Sequence, residues 1–141
     1  MSAELLRHIL SAAGEGELVF ACHDPRPGMD GAAARALMMP GARIVEGWSL
    51  PALLAEYRRA SLVVTNRLHA IIFALLADSP ILVIDDGTAK TRFIAERFGL
   101  PVVANQAVGR VAGVVTRAFV QDPSLRRDEL DALARVAMGN L

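Results

Sequence analysis

The sequence is poor in the residues that mark several large classes of protein. It has one cysteine in 141 residues, Cys22, which excludes an internal disulfide framework and a zinc site built from cysteines. Aromatic residues make up only 5%, too few and too scattered for a surface on which nucleic-acid bases stack. Neither sign of charge is in excess. Fifteen Lys and Arg balance fifteen Asp and Glu, so no overall field draws nucleic acid or an anionic membrane, and neither is expected as a partner. Long apolar runs are missing as well. The longest lies around Ala70 to Ala77, whereas a membrane-spanning helix needs roughly 20 apolar residues. The first residues, Met1 to His8, carry an early Glu4 and no extended apolar stretch, so no signal peptide is read there. The expectation is a soluble protein of a reducing cytoplasm, for which a peripheral place at the inner membrane stays open.

What the chain does have is apolar and periodic. Hydrophobic residues make up 53%, enough for one sizeable core, and a single domain over residues 1–141 is expected. Glu4 to Ala13 reads as a helix with Leu5, Leu6, Ile9 and Leu10 on one stripe, ended at Gly14-Glu15-Gly16. Leu18 to Cys22 reads as a buried strand, and the His23-to-Gly28 segment with Pro25 and Pro27 as a loop. A short helix from Asp30 to Met39 and a strand from Ala42 to Glu46 follow, then a helix from Leu50 to Arg59 with Pro51 in its first turn. Ser61 to Thr65 is the clearest strand. Asn66 is placed to cap a helix from Arg67 to about Asp78, with Leu68, Ile71, Ile72, Leu75 and Leu76 as its core stripe. Ile81 to Ile84 is a fourth strand, Asp85 to Thr88 a loop, and Thr88 or Thr91 a cap for a helix reaching Phe98, which Gly99 closes. Val102-Val103 forms a short fifth strand. Two helices, Gly109 to Val120 and Leu125 to Met138, finish the chain; they divide at Asp122-Pro123, and the final helical region spans 122–141.

Strands rich in Val, Ile and Leu, separated by helices, predict an α/β fold. It is a Rossmann-like, three-layer arrangement around a parallel sheet of about five strands. Ligands of such sheets sit beyond the C-terminal ends of the strands. That rule selects His23 and Asp24, Glu46, Asn66, Arg67 and His69, Asp85, Asp86 and Lys90, and Asn105.

Asn66-Arg67-Leu68-His69 is the most informative of these segments, because a strand hands over to a helix there. The first turn of a helix has unpaired N–H groups and the positive end of the dipole. Arg67 adds a planar guanidinium suited to carboxylate or phosphate, and His69 a group that exchanges protons near neutral pH. The same residues also suit a surface arginine beside a capping or packed histidine. The Asp85-to-Lys90 loop brings Lys90 toward the same place, but its spacing is not that of a Walker loop. Two adjacent carboxylates are weak grounds for a metal, and no metal site is read. His23 and Asp24 suit a ligand contact and a plain polar loop equally. Gly14, Gly16, Gly28 and Gly31 make no dinucleotide fingerprint. Cys22 reads as a small core residue and Trp48 as a packing anchor.

From Leu62 through Thr65-Asn66-Arg67-Leu68-His69 and the alanine-rich stretch to Ala77, the sequence resembles the polysaccharide pyruvyl transferase family. The likeness continues through Ser79-Pro80-Ile81-Leu82-Val83-Ile84-Asp85 to Lys90, and then to Phe98-Gly99-Leu100-Pro101. Asp78 stands where the family more often has glycine. The resemblance implies the C-terminal half of a two-domain GT-B architecture, with the N-terminal half to be supplied from elsewhere for transferase activity. It implies transfer of a pyruvyl group from phosphoenolpyruvate to a sugar of an exopolysaccharide or cell-surface glycan, as a ketal. It also implies His69 as the catalytic residue, either the acid or a phosphate ligand that assists departure, Asn66, Arg67, Leu68 and Lys90 as substrate-binding residues, and no metal or other cofactor. Alternatives are a nucleotide-sugar glycosyltransferase half-domain and a non-catalytic, partner-binding remnant. A signalling receiver is disfavoured, because Thr65-Asn66-Arg67 stands where its phosphorylated aspartate belongs. The stripe Leu125, Leu130, Leu133, Ala137 and Met138 is expected either to fold onto the domain's own sheet or to join a second copy or a separate N-terminal half.

Overall fold

The computed structural model describes residues 2–24, 26, 28–37, 39–46, 49–121, 126–132 and 135. Helices and strands alternate along it. They are α1 (Ala3–Ala13), β1 (Val19–Cys22), α2 (Asp30–Leu37), β2 (Arg43–Glu46), α3 (Leu50–Arg59), β3 (Val63–Thr65), α4 (Leu68–Leu76), β4 (Ile81–Asp85), α5 (Ala89–Arg97), β5 (Val102–Ala104) and α6 (Val111–Phe119). A 3-10 turn at Val108–Arg110 leads into α6, and residues 126–132 are helical again. The ends follow local chemistry. Ser2 caps α1 by accepting the Leu5 N–H at 3.1 Å, a bond that contributes about 1 kcal/mol. Gly99, at φ +58°, takes the left-handed turn that ends α5.

Every strand pairing is parallel. Among the described residues the ladders divide in two, β1 with β2 and β3 with β4 and β5, so the α/β architecture stands without one continuous five-stranded sheet. Side chains tie the β1–α2 region to α3 and the start of α4, His23 to Tyr57 and Asp30 to Arg67. β4 is the spine of the larger sheet. Ile81 and Val83 point to one face, where they pack with Tyr57 of α3, Ala70, Ile71, Ala74 and Leu75 of α4, and Ala95 of α5. Leu82 and Ile84 point to the other, against Leu5 and Ile9 of α1 and Val111, Val114, Val115 and Ala118 of α6. This period-two alternation, buried on both sides, is the three-layer signature. Each such Leu or Ile contributes roughly 1.5–3 kcal/mol of burial.

Several local expectations shift by a residue or a face. The buried stripe of α4 is Ala70, Ile71, Ala74 and Leu75, while Leu76 is exposed; small alanines occupy the face that meets the core. The N-cap of α4 is Arg67, not Asn66, and no side chain caps it. The Thr65 hydroxyl accepts the Arg67 N–H at 3.0 Å, which starts the helix one residue later. Thr88 holds the N-cap position of α5 without a side-chain bond, and Thr91 is buried inside the helix. Asp85 belongs to β4, not to the loop after it. Asp78 has φ +62°, the conformation glycine adopts freely, and its carboxylate accepts from Arg127 at 2.7 Å. Leu130 is half-buried against the α3–α4–α5 side of the core. Leu125, Leu133, Ala137 and Met138 lie outside the described residues. So do Trp48, Pro25, Pro27, the Asp122-Pro123 division and much of the 122–141 helical region.

Candidate functional site

β1 and β3 belong to separate ladders, and the loops at their C-terminal ends meet. They form an open cleft of about 460 Å3 lined by His23, Asp24, Arg26, Asp30, Arg67 and His69. Of the residues selected from the sequence, Arg67, His69, His23 and Asp24 therefore come together. Asn66, Leu68 and Lys90 do not line the cleft: Asn66 and Leu68 are half-buried beside it, and Lys90 is exposed in the first turn of α5.

Asp30, in the first turn of α2, organises the cleft. One carboxylate oxygen accepts the backbone N–H groups of His23 and Asp24, both at 3.0 Å. The other accepts from the Arg67 guanidinium in an ion pair. A single carboxylate thus ties the β1 loop, α2 and the start of α4 together. Arg67 retains exposed guanidinium surface, its side chain being 55% accessible against 14% for Asp30. With no side-chain cap on α4, the N–H groups of its first turn are left for solvent or a ligand. An anion above this turn would meet those N–H groups and the guanidinium together.

His23 lies in the loop after β1. Its Nε2 lies 2.6 Å from the Tyr57 hydroxyl, and its ring stacks on Phe73 with centroids 5.4 Å apart at 17°. Burial lowers the His23 pKa, the Arg67 and His69 charges lower it further, and Asp30 opposes them. Burial likewise raises the Tyr57 pKa, with the Asp30 charge adding to it. Asp24 is engaged by Arg26, whose Nε donates at 2.9 Å; these bonds push its carboxyl down to about 2. His69 is exposed at the cleft.

The loop after β4 is occupied by its own contacts. Asp85 accepts the Gly87 N–H at 2.9 Å and pairs with Arg92 at 2.9 Å, and these bonds lower its pKa. Asp86 accepts from the Thr88 N–H at 3.0 Å and from the Asn66 amide at 3.1 Å. Asn66 thus braces this loop. Among the described residues no group of three His, Cys, Asp or Glu is placed to hold a metal ion, and no helix is long and apolar enough to cross a membrane.

Asp30, Tyr57 and Phe73 were not singled out from the sequence. Asp30 read only as the start of a helix, and Tyr57 and Phe73 as helix interior. The available signal for Asp30 was its acidic side chain in a first turn, close after a strand whose end already carried two polar candidates.

A family model described as polysaccharide pyruvyl transferase matches residues 4–88. That span runs from α1 through the loop after β4 and holds every residue lining the cleft; Lys90 falls just beyond it. No curated protein and no solved structure gives a match.

Proposed function

The chain belongs to the polysaccharide pyruvyl transferase family, and from that membership we propose that the Arg67–His69 cleft is the donor side of a pyruvyl transferase site. The donor is phosphoenolpyruvate, and the acceptor is a sugar of an exopolysaccharide or cell-surface glycan. The observation that carries this reading is the convergence of Arg67, His69 and an uncapped helix start in one cleft, inside the matched span.

The chemistry suits these groups. A proton added to the methylene carbon of the enol ester turns it into a methyl group and leaves positive charge on the neighbouring carbon. A sugar hydroxyl attacks that carbon and loses its proton. The C–O bond to phosphate then breaks, inorganic phosphate departs, and a second hydroxyl closes the ketal with loss of its proton. His69 is the acid that protonates carbon. Arg67 and the first turn of α4 hold the donor's anionic oxygens. Asn66, Leu68 and Lys90 are secondary contacts, reached as the donor settles against the α4 and α5 starts. The open cleft supports a two-domain arrangement in which this Rossmann-like domain forms one wall and an N-terminal domain brings the acceptor.

Calorimetry with phosphoenolpyruvate tests the reading. Wild type should respond to phosphoenolpyruvate and not to a UDP-sugar, and Arg67→Ala should lose about tenfold in affinity, the scale of one bond to a charged group. In the enzyme completed by its acceptor domain, His69→Ala and His69→Gln should both abolish ketal formation, since glutamine donates a hydrogen bond but cannot protonate carbon. Equal binding by Arg67→Ala removes Arg67 from the site, and full turnover by His69→Gln removes the acid role.

A further inference from the structure

Among the cleft groups that the reaction as written leaves unused, Asp24 is paired with Arg26 and Asp30 with Arg67, while His23 has a ring nitrogen to spare. His23 is half-buried, lines the cleft beside Arg67 and His69, and is fixed by three contacts. Its backbone N–H is held by Asp30 at 3.0 Å. Its ring lies on Phe73, centroids 5.4 Å apart. Its Nε2 lies 2.6 Å from the Tyr57 hydroxyl.

The third contact determines the ring's proton. Tyr57 is 6% exposed, and a phenol in such surroundings keeps its proton at neutral pH, in line with the raised pKa that burial gives it. Among the described residues Nε2 is the only partner of that hydroxyl, and a buried O–H seeks an acceptor. Tyr57 therefore donates to Nε2. A neutral imidazole that accepts at Nε2 carries its hydrogen on Nδ1. Burial against Phe73 and Tyr57, beside Arg67 and His69, favours that neutral ring, with Asp30 the one opposing charge. Nδ1 has no protein partner among the described residues, so its N–H is free for an occupant of the cleft.

We infer that His23 is a further substrate-binding residue, a neutral Nδ1–H donor to an anionic oxygen of the donor substrate, and that Tyr57 is the positioning residue that sets its tautomer. The inference rests on the donor-site reading and extends it. A ring pinned in this way binds an anion without competing with His69 as an acid. The anionic oxygen belongs either to a carboxylate or to a phosphate, and both present the same acceptor to an N–H.

The test uses the whole chain with 15N-labelled histidine. Long-range proton–nitrogen spectra at neutral pH should show His23 neutral with its hydrogen on Nδ1. Tyr57→Phe, which keeps the ring and the core, should move that hydrogen toward Nε2. Phosphoenolpyruvate should shift the Nδ1–H signal. Inorganic phosphate and pyruvate, added separately, identify which anionic group it meets, since only that group reproduces the shift. In binding, His23→Ala should lose about tenfold in affinity for phosphoenolpyruvate. His23→Asn, whose amide nitrogen falls near the Nδ1 position, should retain affinity within about threefold of wild type, a difference well under one full hydrogen bond. His23→Gln, whose amide falls near Nε2, should not. Circular dichroism checks that each variant is folded. A hydrogen on Nε2 in the wild-type chain overturns the inference. So does unchanged affinity in a folded His23→Ala chain while Arg67→Ala binds weakly, a result that leaves the donor site standing. If Arg67→Ala and His23→Ala both bind as wild type does, the donor site falls, and this assignment falls with it.

Discussion

At Asp30 three parts of the chain meet through one carboxylate. Its bonds to the His23 and Asp24 N–H groups are partly buried, and its pair with Arg67 is more exposed. The first two matter more for stability, because exposed ion pairs contribute only about 0–1 kcal/mol, whereas a bond to a charged acceptor contributes about 1.5–3 kcal/mol. Asp30→Ala should therefore destabilise the chain by about 2–4 kcal/mol, and Asp30→Asn, which keeps a carbonyl acceptor, by clearly less. Urea denaturation measures both; equal losses would mean that the charge outweighs the backbone bonds. His23 gives a second prediction. Its pKa is lowered from 6.5 in the folded state, chiefly by burial. Between that lowered value and 6.5 the unfolded chain binds more protons than the folded one. Stability contributed by neutral His23 is thus fully present above 6.5, declines as the pH falls below it, and levels off below the folded pKa. His23→Asn should flatten this segment of the stability profile, and an unchanged slope would contradict the burial. Arg67 and His69 were legible in the sequence because a strand-to-helix junction is a local pattern. The Asp30–Arg67 and His23–Tyr57 pairs were not, since 37 and 34 residues separate their members and local periodicity carries no distance of that kind.

Among the elements, β4 shows how much periodicity reveals. The run Ile81-Leu82-Val83-Ile84 has no polar alternation, and that alone marks a strand covered on both faces. The structure bears this out, with all four residues nearly inaccessible. β5 pairs beside it, and its Val102 is 36% exposed. Leu82→Ala should cost about 2–5 kcal/mol, because it removes buried atoms and leaves a cavity between α1 and α6. Val102→Ala should stay nearer the 0.5 kcal/mol scale of surface changes. Thermal unfolding of the two variants checks the ranking, and comparable losses would refute the central place given to β4. Start positions were read less well than element types. α4 begins after Arg67 rather than at it, because the Thr65 hydroxyl takes the Arg67 N–H, while the Asn66 amide turns to Asp86. A capping asparagine and one that braces a neighbouring loop look alike in sequence; only the fold brings Asp86 within reach. The divided sheet was equally hidden. Strand composition signals that a segment is extended and buried, but not which neighbours complete its ladder.

For the whole molecule, the balance of charges sets how the anionic donor of the proposed reading would be recognised. Fifteen basic and fifteen acidic residues leave no net charge, so no long-range field gathers phosphoenolpyruvate at the surface. Attraction has to come from the few groups in the cleft. Arg67, the principal one, is 55% exposed and already shares its charge with Asp30. Such an interaction is open to solvent and is screened by salt, because the Debye length falls from about 30 Å at 0.01 M to about 3 Å at 1 M. Binding sites ordinarily bury roughly 70–90% of a small ligand's surface, and an open, one-walled cleft covers less. The chain by itself should therefore bind phosphoenolpyruvate with a Kd on the order of 1 mM, corresponding to about −4 kcal/mol. Affinity should drop several-fold between about 0.01 M and 1 M salt. Adding the proposed acceptor domain should tighten binding and weaken its salt dependence together, since both follow from enclosing the same charges. Titration calorimetry at the two salt concentrations, with and without that domain, decides the matter. Nanomolar, salt-insensitive binding by the chain alone would mean that this domain encloses the donor without help, and the one-walled reading of the cleft would fail.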